Sequence, residues 1–236
     1  MTNSQDKHRT FLSARSRVEA LYEQLPYLEA YTAHTDLRVQ EDPKAAIGGL
    51  YEELGLLQFE FLKRRDLEQT STLLDIGCGT LRGGLHFIRH LNSGNYFGFD
   101  LSRAVIEHAS RLILSDGLSL KKPVLAVNEA QDLTFGLCAG RRFDFLIAQS
   151  VFTHLMPVHV EECFSNLNVV MKPDSRFFFT IHLGAETERT GLKRFTYTLE
   201  FFRQLGELHC LEITDWSRHY THPRGQVMLE ASFRTD

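Results

Sequence analysis

A chain of 236 residues, 43% of them hydrophobic, is long enough for one large α/β domain or for one domain with an appendage. Its formal charge of −4, with acids and bases interspersed, argues against a nucleic-acid backbone as the main partner. The four cysteines, at 78, 138, 163 and 210, form no close pair, so neither a zinc site nor a disulfide framework is expected.

That cysteine usage fits a reducing cytosol. The polar start Met-Thr-Asn-Ser-Gln-Asp-Lys-His-Arg carries no signal region, and no run of eighteen apolar residues is present to span a membrane. Residues 6–35 read as an amphipathic helix, with Phe11, Ala14, Val18, Leu21, Leu25 and Leu28 at three- and four-residue steps. Pro26 should break or kink it. Tyr22, Tyr27 and Tyr31 add aromatic surface. A second helix is expected from Asp42-Pro43, an N-cap followed by proline in the first turn. Ile47, Leu50, Leu54, Leu57 and Phe61 then form a stripe, and Lys63-Arg64-Arg65 ends it, where bases suit the helix C-terminal dipole. Gly48, Glu52, Gly55 and Phe59 share one face of that helix. Two interior glycines cost roughly 1 kcal/mol each against alanine. Close helix packing is one explanation; a backbone or Glu52 approaching a ligand is the other.

From Thr72 onward strands and helices alternate. Strands are expected at 72–76, 95–100, 123–128, 143–149, 175–182, 209–214 and 226–233, and helices at 81–91, 102–115, 157–171 and 198–207. This alternation predicts a doubly wound parallel sheet. Phe177-Phe178-Phe179, apolar on both faces, suits a buried central strand. No helix separates the last two strands, whose connection from Trp216 to Gly225 is polar, so a closing antiparallel hairpin is expected.

The first strand runs into Asp75-Ile-Gly-Cys-Gly-Thr-Leu-Arg-Gly-Gly84, which opens a helix. Gly77 and Gly79 allow a tight turn and close approach to a ligand, and the helix start offers unpaired N–H groups. A dinucleotide fingerprint needs a third glycine where Arg82 stands, and a phosphate loop needs Gly-Lys-Ser/Thr, which is absent. The second strand ends in Asp100, twenty-one positions after Gly79, where an acid can accept from both ribose hydroxyls.

Asp-x-Gly-x-Gly-Thr resembles motif I of the class I S-adenosylmethionine-dependent methyltransferases. The resemblance covers roughly residues 70–236. It extends to Asp100-Leu101-Ser102, to Asn128-Glu129-Ala130, where Glu129 or Asn128 stands in the acid's place, to Phe143 through Phe152, and to Met171-Lys172-Pro173-Asp174-Ser175 before the fifth strand. It implies a Rossmann-like seven-stranded fold over residues 71–236, S-adenosylmethionine as cofactor and methyl transfer as activity. It also implies cofactor contacts from Asp75, Gly77, Cys78, Gly79, Arg82, Asp100, Leu101, Ser102, Asn128, Glu129, Ala130, Gln149 and Ser150. Residues 1–70 lie outside the shared fold and are expected to form a helical lid whose tyrosines line the pocket. Gly48-Gly49-Leu-Tyr-Glu-Glu-Leu-Gly55 and His222-Pro-Arg-Gly-Gln226 are similar to features of small bacterial methyltransferases of unassigned substrate.

Methyl transfer from an activated sulfonium needs alignment and water exclusion, and a base only if the nucleophile must lose a proton. Catalytic candidates are His154, after the fourth strand, His182, at the end of the fifth, and His222; each has a structural reading as well. Tyr220, His222 and Arg224 form a loop more polar than a hairpin requires and are candidates for substrate contact. His86 and His90 have helical metal spacing but no third ligand, so no metal is expected. Gln149-Ser-Val-Phe152 replaces the Asn/Asp-Pro-Pro-Tyr/Phe of enzymes acting on planar amines, which favours a small molecule or a glycan, with a homodimer left open. A cofactor-binding fold without methyl transfer and an NAD(P)-dependent oxidoreductase are the alternatives.

Overall fold

The structure, a computed structural model, describes residues 16–234; Phe11, Ala14 and the rest of the expected helix before residue 16 lie outside the described residues. Helix α1 occupies residues 16–24, and Pro26 separates it from α2 (Tyr27–Glu41), which runs six residues past the expected end. Asp42 caps α3 (Pro43–Ala46), its carboxylate accepting from the amides of Lys44 and Ala45 at 2.9 and 3.0 Å. The single helix expected from Asp42 is interrupted. Gly48, Gly49 and Leu50 all take positive φ, and α4 begins only at Tyr51 and ends at Lys63. Two adjacent glycines enter the left-handed region at little steric cost, so the chain turns there although the apolar stripe continues.

The sheet is built from β1 (Leu73–Ile76), β2 (Tyr96–Asp100), β3 (Val124–Val127), β4 (Phe143–Ala148), β5 (Met171–Ile181), β8 (Leu211–Asp215) and β9 (Val227–Phe233). Its spatial order is β3-β2-β1-β4-β5-β9-β8. The first five strands are parallel, and β9 inserts antiparallel between β5 and β8, in agreement with the polar connection before it. Helices α5 (Gly84–His90), α6 (Arg103–Ser115), α7 (Pro157–Val170) and α8 (Leu199–Leu208) complete the alternation. Helix α5 starts later than expected because Leu81 sits at φ 62°, outside the helical region. Lys172-Pro-Asp-Ser175 is part of β5, and the pairing with β4 slips in register there. A small hairpin, β6 (Glu188–Gly191) and β7 (Arg194–Thr196), lies between β5 and α8, where the sequence pattern predicts no strand.

Side chains alternate across β5 and so divide the core. Phe177 and Phe179 pack with Phe152, Phe164 and Phe202 on one face. Phe178 meets Phe145 and Phe61 of α4 on the other. All three are fully buried, so α4 covers one face of the central strand as part of the core. His86 and His90 flank the ring of Phe59, at 5.7 and 5.4 Å between centroids. Arg65, from the basic run after α4, stacks on Trp216 at 3.7 Å.

Candidate functional site

Parallel strands leave their carboxyl ends open, and ligands of such sheets bind there. Here the ends of β1, β2 and β4 border a cavity of about 660 Å³, within the roughly 300–1,000 Å³ of small-molecule sites. Its roof comes from α2 and from the turn between α3 and α4.

The floor is the glycine loop. Gly77 and Gly79 take φ of 65° and 56°; a Cβ on Gly79 would lie 3.1 Å from Ile47 of the roof. The carboxylate of Asp100 accepts from the amide of Gly79 at 3.1 Å and from that of Ser102 at 3.0 Å. It therefore fixes the loop and lines the cavity at once. Burial raises its pKa. Asp75 is buried against the cavity and accepts from the Tyr96 hydroxyl at 2.7 Å; burial lifts its pKa to about 7.

Three side chains clasp the roof to the rest of the site. Arg82 donates to the carbonyl oxygens of Ile47 and Gly49 at 3.0 and 3.3 Å. Tyr51 donates to Thr80 O at 2.5 Å. Arg224, from the loop before β9, donates to Gly48 O. Gly55 lets α4 approach, since a Cβ there would meet Arg82 O at 2.1 Å. Close packing thus accounts for Gly55, and the backbone of Gly48 and Gly49 borders the cavity. Glu52 does not; it is exposed and pairs with Lys44.

The far wall is a polar network at the end of β4. Ser150 stands at φ 60°, held by its amide donating to Thr180 Oγ1 at 2.7 Å. Gln226 Oε1 accepts from Ser150, Thr180 and Gln149 at 2.9, 2.8 and 3.4 Å. Gln149 Oε1 accepts from the Tyr220 hydroxyl at 2.7 Å.

The three candidate histidines differ in their nitrogens. His154 Nδ1 contacts Lys193 O at 2.6 Å; a carbonyl only accepts, so Nδ1 carries the proton and Nε2 is the basic nitrogen. Burial lowers its pKa to about 4, against the favourable bond to Lys193 O. His222 Nδ1 accepts from the Arg224 amide at 3.1 Å, so Nε2 carries the proton; that atom is buried with no partner. Burial and the nearby Arg82 and Arg224 lower its pKa to about 4. His182 Nε2 faces the Arg194 guanidinium at 3.4 Å, and so accepts. All three line the cavity.

Of the remaining expected contacts, Cys78, Leu101, Asn128, Gln149, Ser150 and Arg224 also line it. Four do not. Ser102 caps α6, accepting from the Val105 amide at 3.1 Å, and donates to Asp36. Glu129 points out to Arg103, and Ala130 lies in the same exposed turn. Tyr220 is buried behind Gln149, stacked edge-on to Phe61 at 5.0 Å. The lining acid after β3 is Asp132. Tyr31 lines the cavity, whereas Tyr27 and Tyr22 form the layer behind it. Sequence reasoning missed Arg38, Gln58, Lys193 and Arg194. The only signal for the last two was the turn residue Gly191, two positions before Lys193.

A family model described as a methyltransferase domain matches residues 74–177. The fold is similar to that of magnesium protoporphyrin IX methyltransferase from Synechocystis PCC 6803, solved with S-adenosylmethionine bound. That likeness has 16% identity and a TM-score of 0.60, over 83% of this chain and 84% of that one. It is also similar to an S-adenosylmethionine-dependent methyltransferase from Clostridium acetobutylicum ATCC 824, at 16% identity and a TM-score of 0.61, over 84% and 98% of the two chains. A glycopeptide N-methyltransferase solved with S-adenosylhomocysteine matches at 11% identity and a TM-score of 0.60, over 76% and 90%.

Proposed function

We infer that this chain, a class I S-adenosylmethionine-dependent methyltransferase, transfers methyl to an oxygen or nitrogen of a small molecule or glycan. The observation that carries the reading is Asp100, a partly buried carboxylate at the end of β2 that organises the glycine loop and borders the cavity. It is positioned to accept from ribose hydroxyls. Asp132, rather than Glu129, is then the acid for the adenine amine. Asp75 supplies a counter-charge near the floor, and Arg82 with the Gly48-Gly49 turn encloses the end that holds an amino-acid moiety.

S-adenosylmethionine, when bound, supplies an activated sulfonium methyl. His154 is the base in this reading, because Nε2 is its unprotonated nitrogen and burial keeps the ring neutral. Its Nε2 accepts the acceptor's O–H or N–H and takes that proton as the group is methylated. His222 is a donor through Nε2, and His182 is engaged by Arg194. Residues 16–63 serve as the cover that excludes water from the reacting centre.

Calorimetry against S-adenosylhomocysteine and NAD, followed by turnover on an acceptor library, tests the reading. Binding of S-adenosylhomocysteine and methyl transfer are expected. Binding of NAD alone would refute it, and product binding without any turnover would favour a cofactor-binding fold that has lost transfer.

A further inference from the structure

The cavity is lined by charges of both signs, and two of its cations, Arg82 and Arg224, are already bonded to the Ile47–Gly49 turn. Its carboxylates, Asp75, Asp100, Asp132 and Glu162, already accept from Tyr96, from the Gly79 and Ser102 amides, from Thr134 and from the Leu133 amide. The β6–β7 hairpin contributes Lys193 and Arg194 to the lining, and α2 contributes Arg38. Lys193 Nζ lies 5.4 Å from the centre of the Tyr31 ring, which is itself 5.6 Å from the ring of His154. The Arg194 guanidinium meets His182, and Arg38 donates to Ala45 O at 3.1 Å. Among the described residues no carboxylate is within ion-pair distance of any of the three. We propose that Lys193, Arg194 and Arg38 form a cradle for a carboxylate or phosphate group of the methyl acceptor, setting its nucleophile beside His154.

Lys193 and Arg38 are half-buried and Arg194 is exposed; cations partly withdrawn from water without a counter-ion repel one another and lose hydration. Burial and then Arg38 push the Lys193 ammonium down to about 8, a cost that an incoming anion would relieve. The placement also separates the charges of the two substrates. The cationic cofactor meets the acids at the ends of β1 and β2, and the anionic acceptor meets the bases from the hairpin. Identifying the anion as part of the methyl acceptor rests on the methyltransferase reading; the cradle itself does not.

The test is calorimetry on the full chain, with and without saturating S-adenosylhomocysteine. Benzoate and phenyl phosphate are the anionic probes and benzyl alcohol is the neutral one. Whichever anion binds more tightly identifies the group as carboxylate or phosphate. Anion binding without benzyl alcohol binding is expected. It should weaken about tenfold in Lys193→Met and in Arg194→Gln, the loss of one charge-assisted hydrogen bond in each. S-adenosylhomocysteine affinity should stay unchanged, since these side chains are not part of the glycine loop. Lack of anion binding, equal binding of the neutral probe, or unchanged anion affinity in both variants would overturn the cradle. A fall in S-adenosylhomocysteine affinity in place of anion affinity would also overturn it, assigning the cations to the cofactor. Failure of the product to bind at all would refute the methyltransferase reading separately, and the anion comparison on the free protein would still decide the cradle.

Discussion

The Tyr27 hydroxyl donates to the main-chain oxygen of His154 at 2.6 Å, joining α2 to the turn after β4 across 127 positions. The same histidine is gripped from its ring by Lys193 O, so the roof and the β6–β7 hairpin both hold it. Replacing Tyr27 with Phe keeps the ring and removes the bond. Stability should fall by about 1 kcal/mol, read from the denaturant midpoint. Turnover should fall as well, because His154 loses one of its two supports. A variant as stable and as active as the parent would show that the α2 contact is incidental.

Gly55 sets how closely α4 approaches the glycine loop. Alanine there has two opposed effects. It favours the helix by about 1 kcal/mol. It also drives a Cβ to within 2.1 Å of Arg82 O, and overpacking against backbone costs about 1–3 kcal/mol. The clash should win. Gly55→Ala is expected to unfold at lower denaturant and to bind S-adenosylhomocysteine more weakly, as Arg82 is displaced. A gain in stability would mean that the helix has room to shift.

Asp100→Ala removes the acceptor for the Gly79 and Ser102 amides along with the ribose contact. Cofactor affinity should drop by about 1.5–3 kcal/mol, the worth of hydrogen bonds to a charged group. Calorimetry against S-adenosylhomocysteine checks this, and parental affinity would refute the assignment of Asp100.

Much of this site was legible because its chemistry is local. Asp75, Gly77, Gly79 and Asp100 sit at strand ends where neighbouring residues dictate the turn, and the sequence contains that turn. The break at Gly48-Gly49 was hidden by an apolar stripe that continues on either side of it: Ile47 faces the cavity, while Leu54 and Phe61 belong to a separate helix. Tyr220 reads as a substrate contact because its loop is polar, yet the hydroxyl is spent on Gln149, a partner 71 positions away. Lys193 was invisible for a related reason. Its place beside His154 depends on a carbonyl–imidazole bond spanning 39 positions and on a hairpin too short for its alternation to register.

For His154, Gln is the informative replacement, since it retains polarity but cannot take a proton. Turnover should fall by about 10²–10⁴-fold, the usual worth of a positioned base, while affinity for S-adenosylhomocysteine is retained. In the parent the ring is neutral above its pKa of about 4. The rate should therefore lose this group's contribution only as pH falls through that value. Parental turnover in His154→Gln would move the proton elsewhere or show that the acceptor reacts already ionised.

Stability itself should depend on pH, with a sign set by the buried histidines. Burial depresses His34, His154 and His222 to about 4 in the folded state, against about 6.5 when unfolded. Between those values the unfolded chain binds up to three more protons at these sites, so their contribution is present above about 6.5 and is lost as pH falls toward 4. Burial raises Asp75 to about 7 and also raises Asp100, which acts in the opposite direction: stability present below the unfolded carboxylate range fades as pH rises through the folded value. The depressed histidines outnumber the raised acids, and His86, His108, His159 and His182 are lowered too. The denaturant midpoint should therefore climb from about pH 5 to about pH 6.5. His222→Gln, which removes one buried titrating ring, should make the climb shallower. A midpoint that is flat or falls over this interval would mean that the buried carboxylates outweigh the histidines.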